Sequence, residues 1–304
     1  MKILLATPRG FCAGVERAVE AANQALEKYG APVYIKHALI HNTVVIKELE
    51  KRGAITVESL LDAPEGAVIV FSAHGSPPQD YQLARQRHQT VLDSTCPLVE
   101  KIHSEAKLYD ARGETIILLG HKDHVETKGT SGYAPSIIID ERDKSKLEQM
   151  LADLPRGTPL AVISQTTLSV DDTQSAVESI KARFPEATIR NDICYATTNR
   201  QHAVKQLIAK GAKAVVIIGS KTSSNANRMK DIAASTNIPA YLADNADEVI
   251  DKLADYDVIG VSSGASTPER QTEEFCDALK KRHGAVVEEF ISKEENVTFR
   301  QLSV

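Results

Sequence analysis

Apolar residues along this chain come in short unbroken blocks rather than in strict alternation. The blocks are KILLAT (2–7), PVYIK (32–36), AVIVFSAH (67–74), TIILLG (115–120), SIIID (136–140), LAVISQ (160–165), AVVIIGS (214–220), AYLAD (240–244) and VIGVSSG (258–264). Between them lie longer stretches with helical spacing: GVERAVEAANQALEKYG, PLVEKIHSEAKLYDARG, SVDDTQSAVESIKARF and ATTNRQHAVKQLIAKG. Several of these close on glycine, the residue that a left-handed helix stop favours. Strands apolar on both faces and separated by helices predict parallel sheets covered on both sides, so the expected class is α/β.

Three cysteines punctuate this pattern. Cys12, Cys96 and Cys194 each stand just before a helix-like segment, 84 and 98 residues apart. The layout predicts three α/β modules of ordinary domain size: 1–95, 96–194 and 195–281, with the tail 282–304 packing on the first. The modules share layout without strong self-similarity, and no low-complexity linker parts them, so tight packing is expected over loose tethering.

Composition narrows the class. The chain has 304 residues, 42% of them hydrophobic, no tryptophan and a net charge of -5. An acidic balance argues against a nonspecific nucleic-acid binder. No apolar run approaches the ~20 residues of a membrane span, and MKILLATPRGF is too short and strand-like for a signal peptide. A cytoplasmic enzyme is the expectation. Four cysteines in a chain this long make no disulfide framework, which leaves thiols for metal binding or catalysis.

Ligands of parallel α/β sheets gather at the carboxyl ends of the strands. If three modules face one another there, the three thiols converge, each beside a helix N-terminus that favours thiolate. The alternative is three separate buried cysteines, because free Cys is commonly buried. The flanks GFCAG and STCPL, with Gly or Pro in a tight turn, favour the site. Cys276, in TEEFCDALKK beside Phe275 and Leu279, reads as core packing. Three thiolates suit zinc with a fourth ligand such as His, or a [4Fe–4S] cluster with one iron left open as a Lewis acid for a substrate oxygen.

Other strand ends carry complementary groups. His41 (ALIHNTVV), His74 (FSAHGSPP), and His121, His124 and Glu126 (LLGHKDHVETKGT) are imidazole and carboxyl candidates. GSKTSSNANR (219–228) offers Ser220, Thr222, Ser223, Ser224 and Asn225 at the opening of a helix. That set suits phosphate, although a single Ser or Asn there serves as an ordinary helix cap. SSGASTPER (262–270) repeats the arrangement with Ser266, and QTTLSVDD (165–172) adds Thr166 and Thr167, the latter a candidate cap. No GxxxxGK[ST] loop is present, which disfavours an NTPase. The residues together point to a phosphorylated small substrate and to reductive removal or elimination of a hydroxyl group, with Glu126 as proton source.

PRGFCAGVERA, HNTVV, FSAHGS, STCPLV, GHKDHVETKGT, QTTLSVDDT, NDICYATTNRQ, GSKTSSNANR and GASTPE, in order from residue 8 to about 269, resemble the LytB-type 4-hydroxy-3-methylbut-2-enyl diphosphate reductases of the non-mevalonate isoprenoid pathway. The resemblance implies three modules around a central cavity and one [4Fe–4S] cluster per chain on Cys12, Cys96 and Cys194. It implies an allylic diphosphate held by His41, His74, His124, Ser223, Ser224, Asn225 and Ser266, with Thr166 at the substrate hydroxyl and Glu126 as proton source. It further implies ferredoxin or flavodoxin as electron donor, no nucleic-acid or membrane partner, and a monomer or weak homodimer. Two features depart from the family pattern. Val125 replaces a proline common between the histidine and glutamate, and the chain ends at Val304 without the RNA-binding extension of some members. Two other readings of the same residues are a [4Fe–4S] hydro-lyase acting without redox change and a zinc-stapled phosphometabolite-binding module.

Overall fold

The computed structural model describes residues 1–302. Every pairing among its sheets is parallel. The chain begins with β1 (Lys2–Thr7). It then builds a four-stranded sheet from β2 (Val33–Lys36), β3 (Ala54–Val57), β4 (Val68–Phe71) and β5 (Thr90–Asp93), in the order β3-β2-β4-β5. A second four-stranded sheet follows with the same crossover, β7-β6-β8-β9, from β6 (Thr115–Leu119), β7 (Ser136–Ile139), β8 (Leu160–Ser164) and β9 (Thr188–Ile189). The last sheet has five strands, β11-β10-β12-β1-β13, adding β10 (Ala214–Ile218), β11 (Ala240–Ala243), β12 (Val258–Ser263) and β13 (Val286–Ile291).

The α/β class and the three parallel sheets agree with the sequence reading. The apolar blocks are buried for the reason they are apolar: β8 and β10 are buried at all five positions. Helices Ala13–Tyr29, Pro97–Ala111 and Tyr195–Ala209 are followed within two residues by Gly30, Gly113 and Gly211, all at positive φ.

The allotment of strands differs from expectation in one respect. β1 was expected with residues 33–93, but it pairs with β12 (Lys2 opposite Val258) and with β13 (Lys2 opposite Val286). Its four central residues are buried, and a strand covered on both faces needs a neighbour along each edge for its backbone groups. The tail therefore meets residues 2–7 by strand pairing, within the sheet of the third module. Four strands escape the sequence pattern because they are short or polar: β3, β5, the two-residue β9, and the largely exposed edge strand β13.

The contacts divide into two compact units. One comprises Met1–Glu16, His41–Glu48 and Tyr195–Thr298 and contains the five-stranded sheet. The other comprises Arg17–Ile40 and Leu49–Cys194, with the described residues from Phe299 onward, and contains both four-stranded sheets.

Candidate active site

Every residue singled out for chemistry lies on a segment that leaves the carboxyl end of a strand, where parallel sheets hold ligands. In the unit with the two four-stranded sheets these are His74 after β4, Cys96 after β5, His124 and Glu126 after β6, Thr166 after β8 and Cys194 after β9.

The β6 segment turns sharply into the helix Val125–Ser131. His124 is its N-cap, with Nδ1 accepting from the Glu126 N–H at 3.2 Å. A neutral His124 ring with Nδ1 accepting carries its proton on Nε2. Val125 takes the first helical position, where a proline would lose no intrahelical bond, so the departure from the family pattern removes no functional contact. The turn is tight at Gly120, where a Cβ would lie 2.8 Å from Thr127 Oγ1 and 3.3 Å from Gln165 Cβ.

Glu126 and Thr166 meet. The Thr166 backbone N–H donates to Glu126 Oε1 at 2.6 Å and its hydroxyl donates to Oε2 at 2.7 Å. Glu126 is buried. Burial pushes its carboxyl up to about 7; the two Thr166 bonds pull the other way, and the Asp192 charge adds to the rise. The Cys194 N–H donates to the Thr166 carbonyl at 3.1 Å, so this threonine also anchors the turn that carries a candidate ligand. The ring centroids of His74 and His124 stand 5.8 Å apart, edge to face, and Tyr133 Oη donates to the Ser76 carbonyl in the His74 loop.

Sequence reasoning missed Gln165. Its backbone N–H donates to the Leu119 carbonyl at 2.8 Å, and its Oε1 accepts from the His121 N–H and the Thr127 hydroxyl at 3.1 and 3.2 Å. Its Nε2 donates to Thr167 Oγ1, so Thr167 is no helix cap; Ser169 caps the helix Val170–Arg183. The position of Gln165 immediately before Thr166 at a strand end was the available signal.

The other unit carries Cys12 after β1, His41 after β2, Ser223, Ser224 and Asn225 after β10, and Ser266 after β12. The Cys12 N–H donates to the Ala265 carbonyl at 3.1 Å, the Ala265 N–H to Asn225 Oδ1 at 3.0 Å, and the Ser266 hydroxyl to the His41 carbonyl at 2.9 Å. One backbone stretch thus joins the candidate metal ligand to the candidate anion pocket. Ser223 caps the helix Ser224–Ala234, so its ordinary role is met, and Ser220 and Thr222 hydroxyls pair with each other at 3.0 Å. Ser224 Oγ is buried and makes no hydrogen bond. An orphaned hydroxyl at a helix N-terminus suits an anionic oxygen. Burial pushes the His41 imidazole down to about 4, so it is neutral near physiological pH and would serve an anion as a neutral donor.

The cysteines sort by environment. Cys12, Cys96 and Cys194 are partly exposed, none is in a disulfide, and each stands at a helix opening, Cys96 as the N-cap itself. Cys276 is buried against Phe275 and Leu279, and burial pushes its thiol up to about 11, as core packing requires. Partly exposed sulfurs at strand-to-helix turns are the kind of donor that iron–sulfur clusters take.

The family model for the LytB protein matches residues 3–280. The 4-hydroxy-3-methylbut-2-enyl diphosphate reductase of Rhodopirellula baltica is 42% identical over 302 residues, covering 98% of this chain and 94% of the relative. That of Azotobacter vinelandii is 42% identical over 309 residues, covering 98% and 96%. Among solved structures, the E-1-hydroxy-2-methyl-but-2-enyl-4-diphosphate reductase of Plasmodium falciparum superposes with a TM-score of 0.94 at 36% identity, covering 99% of this chain and 95% of its own. A second, described as the terminal enzyme of the non-mevalonate pathway, superposes at 0.66 with 28% identity, covering 92% and 100%. With strand ends, donor set and near full-length similarity in agreement, the chain belongs to the LytB family.

Proposed function

We propose that this protein catalyses the reductive dehydroxylation of (E)-4-hydroxy-3-methylbut-2-enyl diphosphate to isopentenyl and dimethylallyl diphosphates, the last step of the non-mevalonate isoprenoid pathway. The observation that carries this reading, in a chain of this family, is the buried Glu126–Thr166 pair: a carboxyl poised near 7 and bonded to a threonine hydroxyl.

In this reading Cys12, Cys96 and Cys194 would hold one [4Fe–4S] cluster with one iron left open, which would supply electrons singly and a Lewis-acid position. The diphosphate lies against the neutral donors Ser223, Ser224, Asn225, Ser266 and His41, with His74 and His124 as its other partners. Neutral groups bind its charge without cations that would compete for the reacting oxygen. Thr166 orients the substrate hydroxyl. Because the Thr166 N–H occupies Glu126 Oε1, the proton belongs on Oε2. Once protonated, Oε2 donates to Thr166 Oγ1, and the threonine's own hydrogen turns to the substrate oxygen. The C–O bond breaks and oxygen leaves as water, having taken one proton. Two electrons enter the allylic fragment, and a second proton forms the new C–H bond at one of two carbons, giving the two products. Ferredoxin or flavodoxin would supply the electrons, in a reducing cytoplasm. Among the described residues no helix is long and apolar enough to cross a membrane, and we take the protein to act as a monomer or weak homodimer.

Anaerobic purification tests the reading. A brown protein with roughly four iron atoms per chain, consuming reduced mediator only when the allylic diphosphate is added, is the expected result. Turnover without reductant would instead indicate a hydro-lyase, and a colourless zinc protein would indicate a binding module.

A further inference from the structure

The loop that carries Cys12 is held at several backbone groups. The Gly10 N–H donates to Ser263 Oγ at 2.9 Å, the Cys12 N–H to the Ala265 carbonyl at 3.1 Å, and the Ala13 N–H to Tyr195 Oη at 3.1 Å. The Gly10 carbonyl accepts twice from Arg200, from Nη2 at 2.8 Å and Nε at 3.2 Å.

Arg200 is unusual in being fully buried, at 0% exposure. It lies on the helix Tyr195–Ala209, and its Nη1 also donates to the Ala196 carbonyl at 3.1 Å. A guanidinium taken out of water needs a counter-charge and full hydrogen bonding. Glu295 supplies the charge: its Oε2 lies 3.2 Å from Nη1, and its Oε1 lies 3.3 Å from both Nη1 and Nη2. Asn199 Nδ2 in turn donates to Glu295 Oε2 at 2.8 Å. Glu295 comes from the irregular segment after β13, and its side chain is only 13% exposed. A buried ion pair is poor evidence for stability, and its best-attested use is to specify one conformation.

We propose that Arg200, neutralised by Glu295, is a positioning residue for the cluster: it fixes the Gly10 carbonyl, and thereby the loop that aims the Cys12 sulfur. The irregular C-terminal segment thus becomes part of the metal-binding apparatus. This rests on the reading of Cys12 as a cluster ligand.

The test is Glu295→Gln, which keeps the side chain's shape and lies outside regular structure, with Arg200→Lys, which keeps the charge but not the fork. After anaerobic reconstitution of the wild type and Glu295→Gln, the rate of cluster bleaching by an iron chelator should rise roughly tenfold in the variant, the scale seen when groups that orient a metal ligand are lost. In the apoprotein, iodoacetamide labelling followed by peptide mass spectrometry should show faster alkylation of Cys12 with Cys96 unchanged. Arg200→Lys should fall between wild type and Glu295→Gln in both readouts. Unchanged bleaching and labelling, or equal acceleration at Cys12 and Cys96, would overturn the inference. A wild type that takes up no cluster would instead refute the ligand reading, and the Cys12-to-Cys96 labelling ratio would still decide whether Arg200 and Glu295 hold the loop.

Discussion

Replacing Glu126 by glutamine should make the protein more stable as pH rises, while nearly abolishing turnover. The carboxyl moves from an ordinary 4.5 to about 7 on folding, and burial is the main cause. At about 1.4 kcal/mol per pH unit, that difference amounts to about 3 kcal/mol between the two protonation states. The sign follows from the raised value. Below about pH 4.5 the group is protonated in folded and unfolded chains alike and costs nothing. As pH rises towards 7 the unfolded chain sheds the proton first, and above about 7 the folded chain carries the full cost of a buried carboxylate. The amide of Glu126→Gln can keep both contacts, its oxygen accepting from the Thr166 N–H and its NH₂ donating to Thr166 Oγ1. Urea unfolding of apoprotein should therefore show the variant close to wild type near pH 4.5 and ahead by up to about 3 kcal/mol near pH 8. The same titration predicts that wild-type turnover falls along a one-proton limb as pH passes about 7. The variant should retain its cluster and bind the diphosphate. A stability difference that stays flat with pH, or near-normal turnover, would refute the reasoning.

Two further substitutions probe the scaffold. Gly120→Ala places a methyl 2.8 Å from Thr127 Oγ1 and should cost about 1–3 kcal/mol in thermal or urea unfolding, with a lower kcat as the His124–Glu126 turn shifts. Cys276→Ala should cost only about 1 kcal/mol and leave iron content at the wild-type level, whereas Cys12→Ser, Cys96→Ser or Cys194→Ser should each lower it in an iron assay.

The long apolar blocks were legible because a strand buried on both faces must be apolar at each position, as β8 and β10 are. β5 and β13 were not, because an edge strand needs only backbone bonds and can carry residues such as Thr90 or Glu288 and Glu289. The candidate site residues were legible for a related reason. Groups that bind or react stand at strand ends in chemically conspicuous company, so Cys12, Glu126 and Ser224 announced themselves. Gln165 and Arg200 did not, since a polar residue in a loop or on a helix looks the same whether solvated or buried.

By itself, then, the amino-acid order determined the α/β class, the strand-to-helix turns and the types of chemistry placed on them, all consequences of local periodicity and side-chain identity. Only the tertiary structure decided that β1 sits between β12 and β13, that Glu126 is buried and its carboxyl thereby pushed up to about 7, and that Arg200 lies dry beneath the Cys12 loop. Pairing partners, burial and the electric environment of a group depend on residues distant in the chain, and no local window contains them.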